Sequence, residues 1–295
     1  MKLFSSLKKH KTSYLMLMPF GLIFLVFGMI PVIAAIFISF TNFNMISVPS
    51  FNGIQNYITL FLDDPIFIKA LQNTIVFAII TGPLGYILSF VVAWIINDFG
   101  RHLRTGLTLI FYAPTLAGNV FYIWLFIFAG DAYGIVNSNL MALGIIKEPI
   151  MWLTDVKYNL WVVMIVVIWL SLGAGFLSFI AGLRNLNTEL FEASAIDGIK
   201  NRFQELLYVT LPQMVPQLLF GAVMSISGAF AVGYQNIALT GLPSTDYSTH
   251  TLLVHILDYG TIRYEMGYAS AVSVFLFALM LLTWSLVNKL FSKIS

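Results

Sequence analysis

The side chains that could do chemistry within the long apolar runs of this sequence are uncharged hydroxyls and amides. Asn119, Ser171, Ser225, Tyr234 and Gln235 are of this kind. Such groups hydrogen-bond well to a neutral polyol, and the aromatic share of 15% supplies rings that stack on sugars. The same residue types also join helices inside a membrane, so a purely structural role remains open for each of them.

Several kinds of chemistry are excluded or disfavoured. There is no cysteine, so disulfides and thiolate chemistry are excluded. The four histidines are scattered along the sequence. His250 and His255 are five residues apart, whereas a spacing of four would place two ligands on one face of a helix. We therefore interpret the histidines as loop residues and expect no metal site. No phosphate-binding glycine loop of the G-x-x-x-x-G-K-[ST] type is present. The net charge of +2, without a basic patch, indicates no nucleic-acid partner.

The elements that position these side chains must be membrane helices. Hydrophobic residues make up 59% of the chain and charged residues only 9%, which cannot cover a water-facing surface. Six long stretches without charge are each long enough for a helix of about 20 apolar residues. The sequence therefore predicts one all-α integral membrane domain over residues 1–295. Its six spans are predicted at 13–40, 70–97, 106–130, 159–183, 213–239 and 267–289.

The distribution of lysine and arginine predicts the orientation of the chain. The alternate segments 1–12, 98–105, 184–205 and 289–295 carry eleven of these residues, whereas the opposite segments carry four. Because basic residues concentrate in cytoplasmic loops, we expect both termini in the cytoplasm.

The loop over residues 184–212, between the fourth and fifth spans, has its own helical pattern. Asn187 or Thr188 can cap a helix over 189–197, and Gly198 is a natural stop. A second short helix fits residues 202–208, and prolines then redirect the chain into the fifth span. Two short helices at an elbow are therefore expected on the cytoplasmic face.

This loop resembles the EAA loop of binding-protein-dependent ABC importers. The matching residues are the run Glu192-Ala193-Ser194-Ala195-Ile196-Asp197-Gly198, then Phe203, Leu211-Pro212 and Pro216. Ser194 replaces the second alanine of the motif, and about one extra residue precedes Leu211-Pro212. The resemblance extends over almost the whole chain and is greatest to the first permease of the maltose-type pair. The segment Gly241-Leu242-Pro243 departs from it, because the family usually has a longer glycine run there.

The resemblance implies the fold, the function and the partners. It implies the type I ABC importer permease fold in the plasma (inner) membrane and a role as half of the translocation pathway for a sugar or oligosaccharide. The implied partners are a second homologous permease, two ATPase subunits and an extracytoplasmic binding protein. ATP and Mg²⁺ would bind to the ATPase subunits, so this chain would hold no cofactor and would not itself be an enzyme.

The resemblance also implies two sets of site residues. Contact with the ATPase would be made by Glu192, Ala193, Ala195, Asp197 and Gly198. The substrate pathway would contain Asn119, Ser171 and Ser225, followed by Tyr234 and Gln235.

The sequence disfavours three alternatives to a sugar importer. A permease of the same family for glycerol phosphate or another small anion is disfavoured because no Lys or Arg lies within the spans, Lys289 being the last residue of the sixth. An ion-coupled secondary transporter would be expected to carry an intramembrane carboxylate, and the spans have none. A multi-pass membrane enzyme would need acid and base groups in one place, whereas the adjacent Asp63 and Asp64 are interpreted as a solvated loop.

Overall fold

A computed structural model describes residues 11–291 of the chain, with side chains to Lys289. Within this range the chain is helical, and its only extended pairing is an isolated bridge between Thr41 and Phe51. The predicted all-α class is confirmed. In chain order the main helices are α1 (Lys11–Ile38), α2 (Pro65–Asn97), α3 (Arg101–Leu116), α4 (Val120–Ile127), α5 (Ile135–Ala142), α6 (Asn159–Trp169), α7 (Ala174–Arg184), α8 (Thr188–Ile196), α9 (Arg202–Gln213), α10 (Val215–Phe230), α11 (Tyr234–Thr240), α12 (Leu252–Ile262) and α13 (Met266–Phe291).

Four stretches of the described chain are long and apolar enough to cross a membrane, and two bent helix pairs raise the number to six. The four are α1, α2, α13, and α6 with α7 taken together. The bent pairs are α3 with α4, at 88°, and α9 with α10, at 84°. The chain is thus a multi-pass membrane protein.

Three of the predicted spans are interrupted instead of continuous. Within 106–130, α3 ends at Leu116 and the chain bends sharply at Gly118, whose φ is +58°. Within 159–183, the helix stops at Trp169 and resumes at Ala174. Within 213–239, α10 ends at Phe230 and α11 begins at Tyr234, after Gly233. Glycine adopts the backbone conformations that a helix break requires, so a glycine stands at each interruption.

The described chain forms two compact units. The smaller unit combines residues 11–64 with Ile256–Phe275. In it, the Asn56 side chain donates to the carbonyls of Ser39 and Thr41, both at 2.8 Å, and so satisfies carbonyls that follow the C-terminal end of α1.

The larger unit combines Pro65–His255 with the chain from Leu276 onward. Here α2, α7 and α10 pack against one another around small residues. A side chain added at Gly175 would lie 3.4 Å from the Gly221 Cα, and one at Gly182 would lie 2.8 Å from the Gln217 Cγ. Gly175 and Gly182 therefore form a face of α7 that lets the neighbouring helix α10 approach closely.

Two apolar clusters make up the core of this larger unit. The first is built from residues of the C-terminal part of α2, from α7 and the residue Leu172 before it, from α9 and from around the start of α10: Phe90, Ala93, Ile96, Leu172, Phe176, Phe179, Leu183, Leu206, Met214 and Leu218. The second gathers residues nearer the other ends of the same spans: Phe77, Phe121, Val163, Met164, Val166, Val232 and Leu239. Between these two clusters the same spans carry smaller and more polar side chains, which line a cavity.

Candidate functional site

A cavity of about 260 Å³, the central cavity, lies between the two apolar clusters of the larger unit. It is bounded by the middle of α2 and by the points where the fourth and fifth spans are interrupted, so its walls combine side chains with non-helical backbone. Its lining contains no charged residue. The lining consists of Thr81, Gly85, Tyr86, Ser89, Val167, Leu170, Ser171, Gly173, Ala174, Gly175, Phe179, Gly221, Met224, Ser225, Gly228, Ala229, Val232 and Gln235.

Three of the five predicted pathway residues line the central cavity together: Ser171, Ser225 and Gln235. The Ser171 hydroxyl donates to the Ile168 carbonyl at 2.7 Å, and the Ser225 hydroxyl donates to the Gly82 carbonyl at 2.7 Å. Ser225 therefore uses its proton to join α10 to α2, as the structural interpretation allows, whereas Ser171 uses its proton within its own span. Both hydroxyls keep acceptor capacity for a ligand.

The other two predicted residues lie elsewhere. Asn119 is exposed at the break after α3, and Tyr234, the first residue of α11, is 64% exposed. Neither belongs to the lining of the central cavity. Tyr234 immediately precedes Gln235, so the two side chains project from neighbouring positions of one helix in different directions.

Sequence reasoning missed the contribution of α2. Thr81, Gly85 and Ser89 are spaced four apart, so they form one face of this helix, and Tyr86 adds a phenol that donates to the Leu218 carbonyl at 3.3 Å. At Gly85 an added side chain would lie 2.8 Å from the Ser171 Cβ, so only glycine allows this approach. A small or polar residue every fourth position within an apolar span was the available signal.

Hydroxyl groups satisfy backbone carbonyls at the interruptions of the fourth and fifth spans. Ser89 donates to the Ser171 carbonyl at 3.2 Å, Thr115 donates to the Leu172 carbonyl at 3.0 Å, and Thr251 donates to the Val232 carbonyl at 2.6 Å. A carbonyl left unpaired in lipid would cost several kcal/mol, so these bonds let a span be broken beside the central cavity.

The EAA-like loop (residues 184–212) is folded largely as predicted. The Asn187 side chain accepts the Glu189 amide at 3.0 Å, which identifies Asn187 as the cap of α8. Gly198, at φ +94°, ends this helix. The predicted contact residues Glu192, Ala193, Ala195, Asp197 and Gly198 are all exposed.

A salt bridge joins this loop to the end of α2. The Arg202 guanidinium binds Asp98 through two hydrogen bonds of 2.6 Å and lies 5.5 Å from the centre of the Trp94 ring. The hydrogen bond to Asp98 raises the pKa of Arg202 above its ordinary value. Because both side chains are about half exposed, the pair contributes at most about 1 kcal/mol to stability. Its bidentate geometry instead fixes the position of α9.

At the opposite end of α2, an asparagine cluster fastens the segment 247–252 to three spans. Asn73 donates to the carbonyls of Tyr247, at 2.9 Å, and His250, at 2.8 Å. Asn159 donates to the Ser248 hydroxyl at 2.6 Å, and Asn236 donates to the Thr249 carbonyl.

The interpretation of the histidines as loop residues is wrong for His255, which lies in α12, whereas His250 does lie in a loop. Both are buried, and the His250 Nε2 lies 3.2 Å from the His255 Nδ1. They meet because the chain turns between them, which spacing on an ideal helix cannot reveal. No group of three or more histidine or acidic side chains that could hold a metal ion is found in residues 11–291.

The interpretation of Asp63 and Asp64 as a solvated pair is also wrong for Asp64, which is only 8% exposed. In the smaller unit its carboxylate accepts the hydroxyls of Tyr268, at 2.8 Å, and Tyr259, at 3.1 Å. Burial, aided by this carboxylate, raises the pKa of Tyr259 to about 12, so Tyr259 remains a hydrogen-bond donor at neutral pH.

Comparison with known proteins adds independent information. Residues 85–295 match the family model described as the binding-protein-dependent transport system inner membrane component. A probable ABC transporter permease protein of Bacillus subtilis is 30% identical over 90% of this chain and 85% of its own length. The lactose transport system permease protein of Rhizobium radiobacter is 29% identical over 92% of this chain and 90% of its own length. The arabinooligosaccharides transport system permease protein of Bacillus subtilis is 29% identical over 92% of this chain and 86% of its own length.

Solved structures share the fold. A chain of a bacterial ABC transporter involved in the import of the acidic polysaccharide alginate superposes with a TM-score of 0.77, at 23% identity, over 100% of both chains. A chain of the bacterial alginate ABC transporter, in complex with a periplasmic protein that holds an alginate pentasaccharide, gives a TM-score of 0.80, also at 23% identity, over 100% of this chain and 98% of its own.

Proposed function

Because the chain belongs to the binding-protein-dependent transport system inner membrane component family, and is thus a permease subunit of an ABC importer, we propose that its cargo is a neutral sugar or oligosaccharide. The observation that carries this proposal is the central cavity, whose polar groups are hydroxyls and one amide. Such groups hydrogen-bond to sugar hydroxyls, and the rings of Tyr86 and Phe179 offer surfaces for sugar stacking. Transport permeases for lactose and arabinooligosaccharides among the relatives agree with this cargo.

A small anion such as glycerol phosphate is the less favoured cargo. An anion removed from water needs a fixed positive charge or several donors in its pathway. The central cavity has neither lysine nor arginine in its lining, and its serine protons are committed to backbone carbonyls. A second permease could contribute a charge of its own, so competition between neutral and anionic solutes is the direct test.

The EAA-like loop is proposed as the docking site of an ATPase subunit. Its helix α8 exposes Glu192, Ala193 and Ala195, Asp197 is exposed directly after the helix, and Ile196 is 87% exposed. Exposed apolar side chains beside small residues and carboxylates suit a protein groove that contains basic residues. In this proposal Glu192 forms an ion pair with such a residue and Gly198 maintains the turn, while ATP and Mg²⁺ are bound by two ATPase subunits.

A second permease and a binding protein complete the proposed importer. No residue of α1 up to Ile38 is buried, although this helix is apolar after its first turn, which leaves its surface available to lipid or to a homologous subunit. This chain would then supply half of the pathway, with both termini in the cytoplasm and an extracytoplasmic protein that delivers the cargo.

The test is uptake by the complete complex in vesicles. The chain is coexpressed with its partner permease and ATPase, and the purified complex is reconstituted with ATP inside and the binding protein outside. We expect uptake of a radiolabelled sugar or oligosaccharide that glycerol phosphate does not inhibit. Inhibition by glycerol phosphate, with no saturable sugar uptake, would overturn the proposed cargo but leave the family assignment intact.

A further inference from the structure

A second cavity lies where the EAA-like loop meets the ends of three spans. This arginine pocket has a volume of about 310 Å³. The span ends that line it are the last turns of α2 and α7 and the first turn of α3, and the loop contributes residues from α8 and α9. Its lining consists of Trp94, Asn97, Arg104, Leu183, Arg184, Leu186, Thr188, Phe191, Arg202, Glu205 and Thr210.

The charges around the arginine pocket do not cancel. Arg202 is neutralised by its bidentate bond to Asp98. The Arg104 guanidinium donates only to the neutral carbonyl of Asn97, at 3.2 Å, and the Arg184 guanidinium has no hydrogen-bond or ion-pair partner among the described residues. Against these two guanidinium groups the lining offers one further carboxylate, that of Glu205. One positive charge therefore remains, which matches a single phosphodiester anion.

We propose that the arginine pocket binds the headgroup of an acidic phospholipid of the cytoplasmic leaflet, with its phosphate held by Arg104 and Arg184. This inference rests on the proposed orientation, which places residues 98–105 and 184–205 at the cytoplasmic surface. At that depth a phosphate is the abundant anion, and guanidinium groups bind phosphate through paired hydrogen bonds. Trp94 suits the same depth, because tryptophan prefers the interface between apolar tails and headgroups.

A lipid in this position would connect elements that the protein itself joins sparsely. Its phosphate would bridge α3, through Arg104, to α7, through Arg184, directly beside α8 of the EAA-like loop. The chain from Arg184 to Thr188 leads straight into α8, so immobilising Arg184 restrains the base of the proposed docking helix. Acidic lipid would thus stabilise the arrangement in which the loop meets the ATPase.

Lipid titration of the complete complex tests this site. Wild type, Arg104→Gln, Arg184→Gln and Arg101→Gln are reconstituted in phosphatidylcholine vesicles with increasing fractions of brominated phosphatidylglycerol. Arg101 is the matched control, because it is an exposed arginine of the same α3 turn that does not line the pocket. The readout is quenching of tryptophan fluorescence, taken as the difference between each protein and its Trp94→Phe counterpart.

We expect half-maximal Trp94 quenching to require about fivefold more phosphatidylglycerol for Arg104→Gln and for Arg184→Gln, and a wild-type titration for Arg101→Gln. Equal shifts in all three variants would indicate only general surface attraction and would overturn the site. Unshifted titrations of Arg104→Gln and Arg184→Gln would also overturn it.

A second measurement distinguishes a lipid headgroup from a dissolved anion as the ligand of the arginine pocket. In pure phosphatidylcholine vesicles we expect millimolar inorganic phosphate to leave the unfolding temperature of the complex unchanged. Adding phosphatidylglycerol to the vesicles should raise that temperature. Equal stabilisation by dissolved phosphate would assign the pocket to a free anion and overturn the lipid proposal. Because quenching and unfolding require no cargo, a failure here is distinct from a failure of the proposed sugar transport.

Discussion

At the scale of single residues, the polar side chains that line the central cavity differ in the hydrogen bonds that they can offer a solute. Ser171 donates its proton to the Ile168 carbonyl of its own span and Ser225 donates to the Gly82 carbonyl of α2, so both offer a ligand only acceptors. Gln235 brings an amide that can both donate and accept, which makes it the most versatile group of the lining. We therefore expect Gln235 to contribute most to recognition of a sugar hydroxyl.

The corresponding prediction concerns Gln235→Leu. This substitution keeps the approximate size of the side chain and removes its polar atoms, so uptake by the reconstituted complex should fall about tenfold, as for one lost hydrogen bond. Tyr234→Phe is the control, because Tyr234 is exposed and outside the lining. A larger loss for Tyr234→Phe than for Gln235→Leu would show that the pathway runs elsewhere.

At the scale of elements, the site depends on helices that are interrupted and on helices that touch. The fourth and fifth spans are each broken beside the central cavity, and hydroxyls from other elements satisfy the carbonyls released there. α2 approaches the first of these breaks closely because Gly85 has no side chain. At the loop, the left-handed conformation of Gly198 lets α8 end and the chain turn toward α9.

A first prediction at this scale compares two glycines of α2. Gly85→Ala would place a methyl group 2.8 Å from the Ser171 Cβ, whereas Gly82→Ala would meet the Ala229 Cβ at an ordinary 3.5 Å. Overpacking costs about 1–3 kcal/mol, while alanine improves helix propensity by about 1 kcal/mol. Thermal unfolding in detergent should therefore show that Gly85→Ala is destabilised and Gly82→Ala is not. Equal melting temperatures would contradict the close approach.

A second prediction concerns Gly198→Val. Valine in the left-handed region costs about 1–3 kcal/mol, although no atom lies within 4 Å of the added group, so the penalty comes from the backbone alone. Uptake should fall at least severalfold while the complex remains inserted in the membrane. Gly198→Asn should retain more uptake, because asparagine tolerates positive φ. Identical uptake by both variants would argue against a role for this turn in coupling.

At the scale of the whole molecule, the two ends of the larger unit differ in character. The end formed by residues 98–104 and the EAA-like loop contains guanidinium groups, carboxylates and an exposed docking helix. The other end, where the asparagine cluster lies, is held by buried amides, hydroxyls and histidines. We therefore infer, in line with the proposed orientation, that the charged end is the cytoplasmic face at which an ATPase subunit would dock.

The matching prediction is the sidedness of the chain. Because the protein has no cysteine, a single introduced thiol reports its own side of the membrane. Lys200→Cys in the EAA-like loop should react with an impermeant maleimide only after cells are lysed. Tyr133→Cys, at a residue that is 91% exposed between α4 and α5, should react in cells whose inner membrane is intact. The reverse pattern would invert the proposed orientation.

Much of the architecture was determined by the sequence alone. Six uncharged runs and the low charge content were enough to predict a helical membrane protein, because lipid requires that backbone groups be satisfied within helices. The cap at Asn187, the stop at Gly198 and the elbow before the fifth span follow from local chemistry, and the structure has them. The resemblance of the EAA-like loop led to the same family that comparison of the whole chain shows.

Only the tertiary structure decided which side chains meet. The α2 wall of the central cavity, the burial of Asp64 and the adjacency of His250 and His255 all depend on contacts between segments distant along the chain or on turns between close residues. Hydropathy reports whether a segment prefers lipid, but not where a helix will break or which face it turns toward a neighbour. Those outcomes depend on packing and on hydrogen bonds across elements, such as that from Ser89 to Ser171, which are absent until the helices come together.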